Sequence, residues 1–243
     1  VAEAVAIKGN RIMAVGKNEA IKPLINEETD IIDLKGKSLL PGFIDSHLHI
    51  TMYGTNKLGV SCKEPNIHSI DDILRKLKNK AAQTPKGHWV RAWGFNELKI
   101  KERRYPTRQE LDDVSRDHPI IVVRTCTHIS VVNSKALERA NIDQHTAEPP
   151  GGKIGRDKNG IPNGILIETA HMHMFETAKF NDEELLSALK LASNDLISAG
   201  ITSLHEAGGY GPDNLRVLQQ SALSGDIKVR INAIVCSLNK SEA

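Results

Sequence analysis

The ten residues from Pro41 to Ile50 constrain the fold of this chain more than any other segment. They include His47 and His49, and the side chains of a strand alternate between two faces with period two. An extended backbone therefore places both imidazoles on one face, together with Asp45, where the rings can bind one metal ion. The opposite face holds three apolar residues that can pack against a covering helix, namely Ile44, Leu48 and Ile50. We expect a strand with chemistry on one side and core on the other.

A His-x-His pair alone is weak support for a metal site, because most such pairs are ordinary histidines. The context strengthens the prediction. Pro41 has a fixed φ and Gly42 permits tight bends, so this dipeptide is typical of a sharp turn into a strand. The strand then carries one carboxylate and two imidazoles along a single stripe. The sequence predicts His47 and His49 as metal ligands.

The composition excludes several classes of protein. The 243 residues are 40% hydrophobic and 26% charged, which is ordinary for a globular chain that can bury a large core. The net charge is only +2, so we expect no nucleic-acid partner. Apolar runs are too short to span a bilayer, so we expect no membrane partner. Three widely spaced cysteines without a Cys-x-x-Cys motif favour reduced thiols and a cytoplasmic location: Cys62, Cys126 and Cys236.

The N-terminal segment has the pattern of β-structure. Residues Ala4 to Val15 form two apolar runs around Gly9-Asn10, a dipeptide that favours a hairpin turn. The segments Ile31–Leu34 and Ser38–Leu40 continue the same pattern. We predict a small β-structure before the His-x-His strand.

From Asn181 onward the sequence alternates helix, glycine and strand. Asn181 can cap a helix whose apolar stripe ends at Gly200. The next segments are predicted as strand, helix and strand, in the order Ile201–His205, Pro212–Leu223 and Val229–Val235. This order is typical of βα units with parallel strands, so the predicted fold class is α/β.

Residues from about 55 to 180 interrupt the βα pattern. Ser69 and Thr107 each stand at the start of a helical pattern, with an acidic residue three positions later. Ile120–Val123 is a candidate for a buried strand, and Ile165 to Phe180 is predicted to be helical. We expect a large insertion between the first two strands of the parallel sheet.

Several segments together resemble one family of enzymes. The segment from Pro41 to Ile50 is similar to the first barrel strand of the amidohydrolase superfamily. Further segments agree in order and spacing with the branch of N-substituted formamide deformylase-like enzymes: Trp93–Asn96, Pro106–Asp112, His128 with Val131–Leu137, Pro150–Asp157 and Gly200–Gly208. The first motif is specific for the superfamily, and the whole set is specific for the branch.

The resemblance implies a partial (β/α)8 TIM-type barrel of a metal-dependent hydrolase. Residues 1–41 would form part of an N-terminal β-sandwich, and residues 42–54 and 181–243 the first part of the barrel. Residues 55–180 would be an insertion after barrel strand 1, over the barrel mouth, where βα loops build substrate sites. Family members carry further metal ligands on later strands, so we expect the chain to be an internal piece of a longer polypeptide.

The resemblance also implies the chemistry. One or two divalent ions, most often zinc, activate a water that attacks an amide-like, non-peptide carbon-nitrogen bond. The general base in the family is an aspartate on the eighth barrel strand, so the sequence names no catalytic residue and the chain alone is expected to be inactive. The implied partner is a small-molecule substrate, and homo-oligomerisation is left open.

Four further residues are candidates for substrate binding or for support of the metal ligands: Asp45, His128, Glu168 and His205. Asp45 can orient a histidine or stiffen the end of its strand. His128 follows a buried strand and His205 ends the predicted second barrel strand. Glu168 can be a buried carboxylate near the site or an acid favoured by a helix N-terminus. For His205 the alternative is a satisfied histidine of the core.

A second His-x-His pair, His171 and His173, lies in the predicted helix. Residues two apart on a helix project about 200° from each other and cannot share one metal ion. We therefore expect this pair to have no ligand role.

Two other classes of function stay open on the sequence alone. A deaminase or a phosphotriesterase-like hydrolase can use the same scaffold, because a fold does not determine its substrate. A non-catalytic, metal-binding remnant of such an enzyme would also carry these motifs.

Overall fold

The computed structural model describes residues 1–63 and 65–236, which fall into two compact units, Val1–Pro41 and Gly42–Ala243. The first unit contains an antiparallel hairpin of β1 (Ala4–Lys8) and β2 (Arg11–Gly16), followed by the short helix α1 (Asn18–Ile21). Gly9 in the turn has φ +59°, a conformation that favours glycine. A 3-10 turn at Lys22–Leu24 follows α1.

The two later segments of this unit are not strands. Residues 31–34 and 38–40 were expected to be extended and paired, but the structure assigns no strand to either. Both segments are exposed, and the described residues of the unit place no third strand beside the hairpin. A strand forms only where a neighbour accepts and donates its backbone hydrogen bonds, which explains the error.

The second unit contains the rest of the helices and strands. In chain order these are β3 (Phe43–Leu48), α2 (Ile50–Leu58), β4 (Val60–Ser61), α3 (Ile70–Ala82), β5 (Val90–Phe95), α4 (Arg108–Val114), β6 (Ile120–Arg124), β7 (Ile129–Val132), α5 (Ser134–Arg139), β8 (Gly152–Arg156), β9 (Pro162–Glu168), α6 (Thr169–Thr177), α7 (Asp182–Ser198), β10 (Ile201–Tyr210), α8 (Gly211–Leu223) and β11 (Arg230–Cys236). A 3-10 turn at Glu97–Lys99 follows β5. None of the helices in the described ranges is both long and apolar enough to cross a bilayer.

A parallel three-stranded sheet in the order β11-β10-β3 forms the first layer of this unit. Helix α7 begins at a capping box, in which the side chains of Asn181 and Glu184 each accept the backbone N–H of the other. Its apolar stripe packs with α2, α8 and the sheet into one core: Ile50, Leu185, Leu189, Ala192, Leu196, Leu204, Val217, Leu218, Ile227 and Val229. Helix α7 ends at Ser198, and Gly200, which follows the C-cap residue, has φ +81°. The sequence thus predicted this βα arrangement correctly.

The second sheet of this unit is mixed and has six strands in the order β4-β5-β6-β7-β9-β8. Strands β4, β5 and β6 are parallel, and β7, β8 and β9 join in antiparallel pairs. One face packs on α3 and α4, and the other packs on α5 and α6. Side chains of β6 alternate between the two faces of the sheet. Ile120 and Val122 pack into the core on one face, and Ile121 and Val123 pack into the core on the other.

A buried arginine joins the six-stranded sheet to helix α7. The guanidinium of Arg91, on β5, donates to the carbonyl oxygens of Ala178 and Lys179, each at 3.0 Å. It also forms a 2.9 Å ion pair with Glu184 and lies 4.0 Å from the ring centroid of Phe180. Every polar group of this buried side chain therefore has a partner of suitable chemistry.

Two predicted elements have different bounds in the structure. The predicted helix Ile165–Phe180 is wrong in its first turn, because Pro162–Glu168 forms strand β9 between β7 and β8 and the helix begins at Thr169. Pairing on both sides of an apolar segment overrides its local preference. The predicted strand up to Ile50 ends instead at Leu48, and Ile50 is the first residue of α2.

The apolar face of β3 is only partly covered. Leu48 packs on the core beneath α7, and Ile50 is fully buried there. Ile44, however, is 69% exposed, so the prediction that it belongs to the core is wrong. The strand is at the edge of the sheet, and the described core reaches only its C-terminal end.

A substitution at Gly54 tests the contact between α2 and α7. A Cβ atom on Gly54 would lie 2.3 Å from the carbonyl oxygen of Ala188. In an open helix, Gly→Ala stabilises a protein by about 1 kcal/mol. Here we expect Gly54→Ala to lower the free energy of unfolding by about 2 kcal/mol, because the two helices must separate. Urea denaturation measures this change.

The control for this prediction is Met52→Ala on the exposed side of α2. It should change the free energy of unfolding by no more than about 0.5 kcal/mol. A Gly54→Ala variant as stable as the wild type would contradict the close helix approach.

Candidate metal centre

The two histidines of the first motif lie together where β3 passes into α2. His47 is in the strand, and His49 directly precedes the first residue of the helix. Their ring centroids are 5.4 Å apart, with the ring planes at 85°. Two imidazoles bound through nitrogen to one tetrahedral zinc ion have centroids about 5 Å apart, given zinc–nitrogen bonds of about 2.1 Å. The separation of the two rings therefore fits a shared metal ion.

A buried carboxylate that the sequence reasoning missed lies beside this pair. Glu206, on β10, is 1% exposed, and its Oε1 lies 3.2 Å from Nδ1 of His49. Its Oε2 lies 3.5 Å from the backbone nitrogen of Thr51, in the first turn of α2. The sequence did carry a signal, because Glu206 directly follows the predicted strand Ile201–His205, at the end of a parallel strand where barrel enzymes place their site residues.

Asp45 accepts a hydrogen bond from the main chain. Its Oδ1 accepts the backbone N–H of His47 at 3.0 Å. This contact holds the backbone conformation just before the histidine pair, which is one of the two roles considered for Asp45.

His205 lies on β10 between two buried residues, Leu204 and Glu206. Leu204 packs into the core beneath the helices, so His205, next to it, projects from the opposite face of the sheet. Within residues 1–63 and 65–236, no group of three or more His, Cys, Asp or Glu side chains is arranged to hold a metal ion. His205 therefore does not complete a ligand set with the histidine pair.

His128 and Glu168 form a pair on the six-stranded sheet. Nδ1 of His128 lies 2.9 Å from Oε2 of Glu168, and the backbone N–H of Glu168 donates to the carbonyl of His128 at 2.9 Å. Their side chains are 59% and 55% exposed, so Glu168 is not a buried carboxylate. It directly precedes α6, as the alternative of an acid at a helix N-terminus predicted.

Glu168 has an unusual backbone conformation. Its φ of 51° and ψ of −120° lie in a region that residues with a Cβ rarely adopt. Such strain costs about 1–3 kcal/mol and persists where the surroundings hold it in place. The structure thus maintains this carboxylate beside His128 at the expense of local stability.

A buried histidine lies behind this pair. His171, on α6, is 2% exposed, and its Nδ1 has no hydrogen-bond partner among the described residues. Burial lowers the pKa of this imidazole, although the backbone of Thr127 and the charge of Glu168 favour its protonated form. His173, two positions along the same helix, is exposed, which agrees with the expectation that these two residues do not share a metal ion.

Neither of the two cysteine side chains that the structure describes belongs to a group that could hold a metal ion. Cys62 and Cys126 are free thiols, and the side chain of Cys236 lies outside the described part of the chain. Burial raises the pKa of Cys62 to about 12. No second thiol is paired with either of the two described cysteines.

The fold and the histidine pair define the class of this protein. The chain belongs to the amidohydrolase family, whose model matches residues 30–242. The fold is similar to the crystal structure of an uncharacterized metal-dependent hydrolase from Pyrococcus horikoshii, with a TM-score of 0.74 and 25% identity over 95% of this chain and 44% of that chain.

Two curated relatives show how far the similarity extends. The chain is 33% identical over 212 residues to N-substituted formamide deformylase of Arthrobacter pascens, covering 85% of this chain and 39% of the relative. It is 30% identical over 233 residues to the exoenzymes regulatory protein AepA of Pectobacterium carotovorum, covering 94% of this chain and 50% of the relative. The chain therefore spans half or less of the length of these relatives.

The strain at Glu168 gives a testable order of stabilities. Glu168→Gly removes the Cβ that makes the conformation costly, and Glu168→Ala keeps it while losing the same carboxylate. We expect the glycine variant to have the higher free energy of unfolding, by about 1–2 kcal/mol. At Glu176, an exposed position inside α6, the order should reverse by about 1 kcal/mol in favour of alanine. Urea denaturation of the four variants measures both differences, and the same order at both positions would contradict the strain.

Burial of His171 predicts how stability depends on pH. Because its pKa is lowered in the folded state, the unfolded chain takes up the proton first as the pH falls below about 6.5. The folded protein then loses stability progressively from that pH down to the lowered pKa. We expect His171→Gln to lose less stability than the wild type between pH 7.5 and pH 5.5. Denaturant midpoints at the two pH values test this, and equal losses would contradict it.

Proposed function

We propose that this chain supplies the first two metal ligands of a hydrolase that cleaves amide-like, non-peptide carbon-nitrogen bonds. The observation that carries the proposal is the pair of imidazoles, with centroids 5.4 Å apart, at the C-terminal end of a parallel strand. Membership of the amidohydrolase family supports hydrolysis, and the similarity to N-substituted formamide deformylase supports a small-molecule substrate with an amide-like bond.

The architecture around the pair supports a partial (β/α)8 barrel. Strands β3, β10 and β11 are parallel, and helices α7 and α8 precede β10 and β11 in the chain. We propose that residues 42–54 and 181–243 form the first part of the barrel and residues 1–41 part of a β-sandwich. Residues 55–180, which contain the six-stranded sheet, are then the insertion after barrel strand 1. Helix α2 continues to Leu58, past the first of these boundaries.

Four residues have proposed roles at this site. His47 and His49 would hold the ion, and Asp45 fixes the backbone beneath His47. A divalent metal, with zinc as the first candidate, would lower the pKa of a water toward neutrality and polarise the substrate carbonyl. His205, on the strand that pairs with β3, is proposed to contact the substrate.

The His128–Glu168 pair is a second proposed substrate contact. Hydrogen bonding through Nδ1 leaves Nε2 of His128 available, and the ring is 59% exposed. The carboxylate fixes which ring nitrogen carries the proton. This arrangement suits an imidazole that binds a polar group of a small molecule.

Metal binding by the histidine pair is directly measurable. We expect the 243-residue chain to bind one Zn²⁺ ion, and His47→Ala and His49→Ala each to weaken that binding about 100-fold, because each removes a ligand. Competition with a chromophoric chelator gives the dissociation constants. His145→Ala, at an exposed loop, is the matched control and should bind as the wild type. Unchanged zinc affinity in both ligand variants would contradict the proposed site.

Activity provides the second arm of this test. Since the described residues contain no group of three ligands, we expect the chain alone, with zinc added, to hydrolyse no N-substituted formamide. Clear turnover by the purified chain would show that two histidines suffice and would overturn this part of the proposal.

A further inference from the structure

Glu206 lies in a position that links three elements of the candidate metal centre. Strand β10 pairs with β3 so that Glu206 is the register partner of Leu48, between the two histidines in sequence. The carboxylate reaches Nδ1 of His49 with Oε1 at 3.2 Å and approaches the backbone nitrogen of Thr51 with Oε2 at 3.5 Å. It thereby connects β10, the proposed ligand His49 and the first turn of α2.

The surroundings require donors on both sides of this carboxylate. A carboxylate that is 1% exposed is costly unless hydrogen-bond donors face it. The N-terminus of α2 supplies backbone N–H groups and a partial positive charge. The side chain of His49 supplies the other donor only if its proton is on Nδ1.

We propose that Glu206 is a positioning residue that fixes the tautomer of His49, with the proton on Nδ1 and the lone pair of Nε2 presented to the metal ion. This inference rests on the proposed metal site and deepens it. In the Nδ1–H tautomer the Nε2 lone pair can bind a metal without a proton shift, whereas the other tautomer must first move its proton. The contact with Glu206 also restricts rotation of the His49 ring.

The two proposed ligands are supported in different ways. The carboxylate nearest His47 in sequence, Asp45, accepts the main-chain N–H of His47, while Glu206 contacts the ring of His49. Loss of Glu206 should therefore act on His49 first.

The first test uses the metal-free chain, so that it does not depend on metal binding. Nitrogen-15 spectra of histidine-labelled protein distinguish the two tautomers, and His49→Ala assigns the signal. We expect a single Nδ1–H tautomer of His49 in the wild type and a mixture of tautomers in Glu206→Ala. Glu206→Gln keeps the size of the side chain and one acceptor oxygen, so it should give a result between the two. An Nε2–H tautomer in the wild type, or an unchanged tautomer in both variants, would overturn the proposal.

The second test measures zinc affinity by chelator competition. We expect Glu206→Ala to weaken zinc binding by about 10–100-fold and Glu206→Gln to weaken it less. Glu176→Gln, at an exposed position of α6, is the control and should bind as the wild type. Affinities of folded Glu206 variants within about twofold of the wild type would contradict a positioning role.

The two tests separate this inference from the proposed function. If the wild type binds no zinc but shows the Nδ1–H tautomer, the proposed metal site fails while the control of His49 by Glu206 stands. If zinc binds and the tautomer does not depend on Glu206, the metal site stands and the positioning role fails. Circular dichroism shows whether each variant is folded, and Glu206→Gln gives the decisive result if Glu206→Ala does not fold.

Discussion

The parallel pairing of β3 with β10 is the constraint on which the candidate site depends. The backbone hydrogen bonds between these strands set the register in which Glu206 faces Leu48. A slip of one residue would turn each side chain to the opposite face and would bury His205 in the place of Glu206. The core beneath α7 resists such a slip, because Leu48 and Leu204 both pack into it. The pairing of β3 with β10 and the packing of the helices on the sheet therefore act together to fix the position of Glu206.

The same contacts connect stability with chemistry. A fully buried carboxylate would destabilise this sheet if nothing faced it, and the nitrogen atoms that face it belong to His49 and to the start of α2. In the second sheet, Glu168 beside His128 keeps a costly backbone conformation at an exposed position. In both places an acidic side chain holds an imidazole by one ring nitrogen, once in the core and once at the surface.

Much of the fold followed from local patterns. Capping residues at Ser69, Thr107 and Asn181 predicted three helix starts, and the side chain of each residue accepts a hydrogen bond there. The errors arose where neighbours decide the structure. Residues 162–168 became a strand because β7 and β8 lie on either side of them. Ile44 has an apolar side chain at a suitable position, yet the core does not reach it.

For the candidate site, the sequence by itself determined the pair of imidazoles, because His47 and His49 are near neighbours whose proximity follows from an extended backbone. It also indicated Asp45, which acts within the same strand. Only the tertiary structure decided that Glu206, distant in the chain, would contact His49, and that His128 would meet Glu168. Local geometry depends on the order of residues, whereas contacts between distant segments depend on strand register and on the packing of whole helices, which no short pattern encodes.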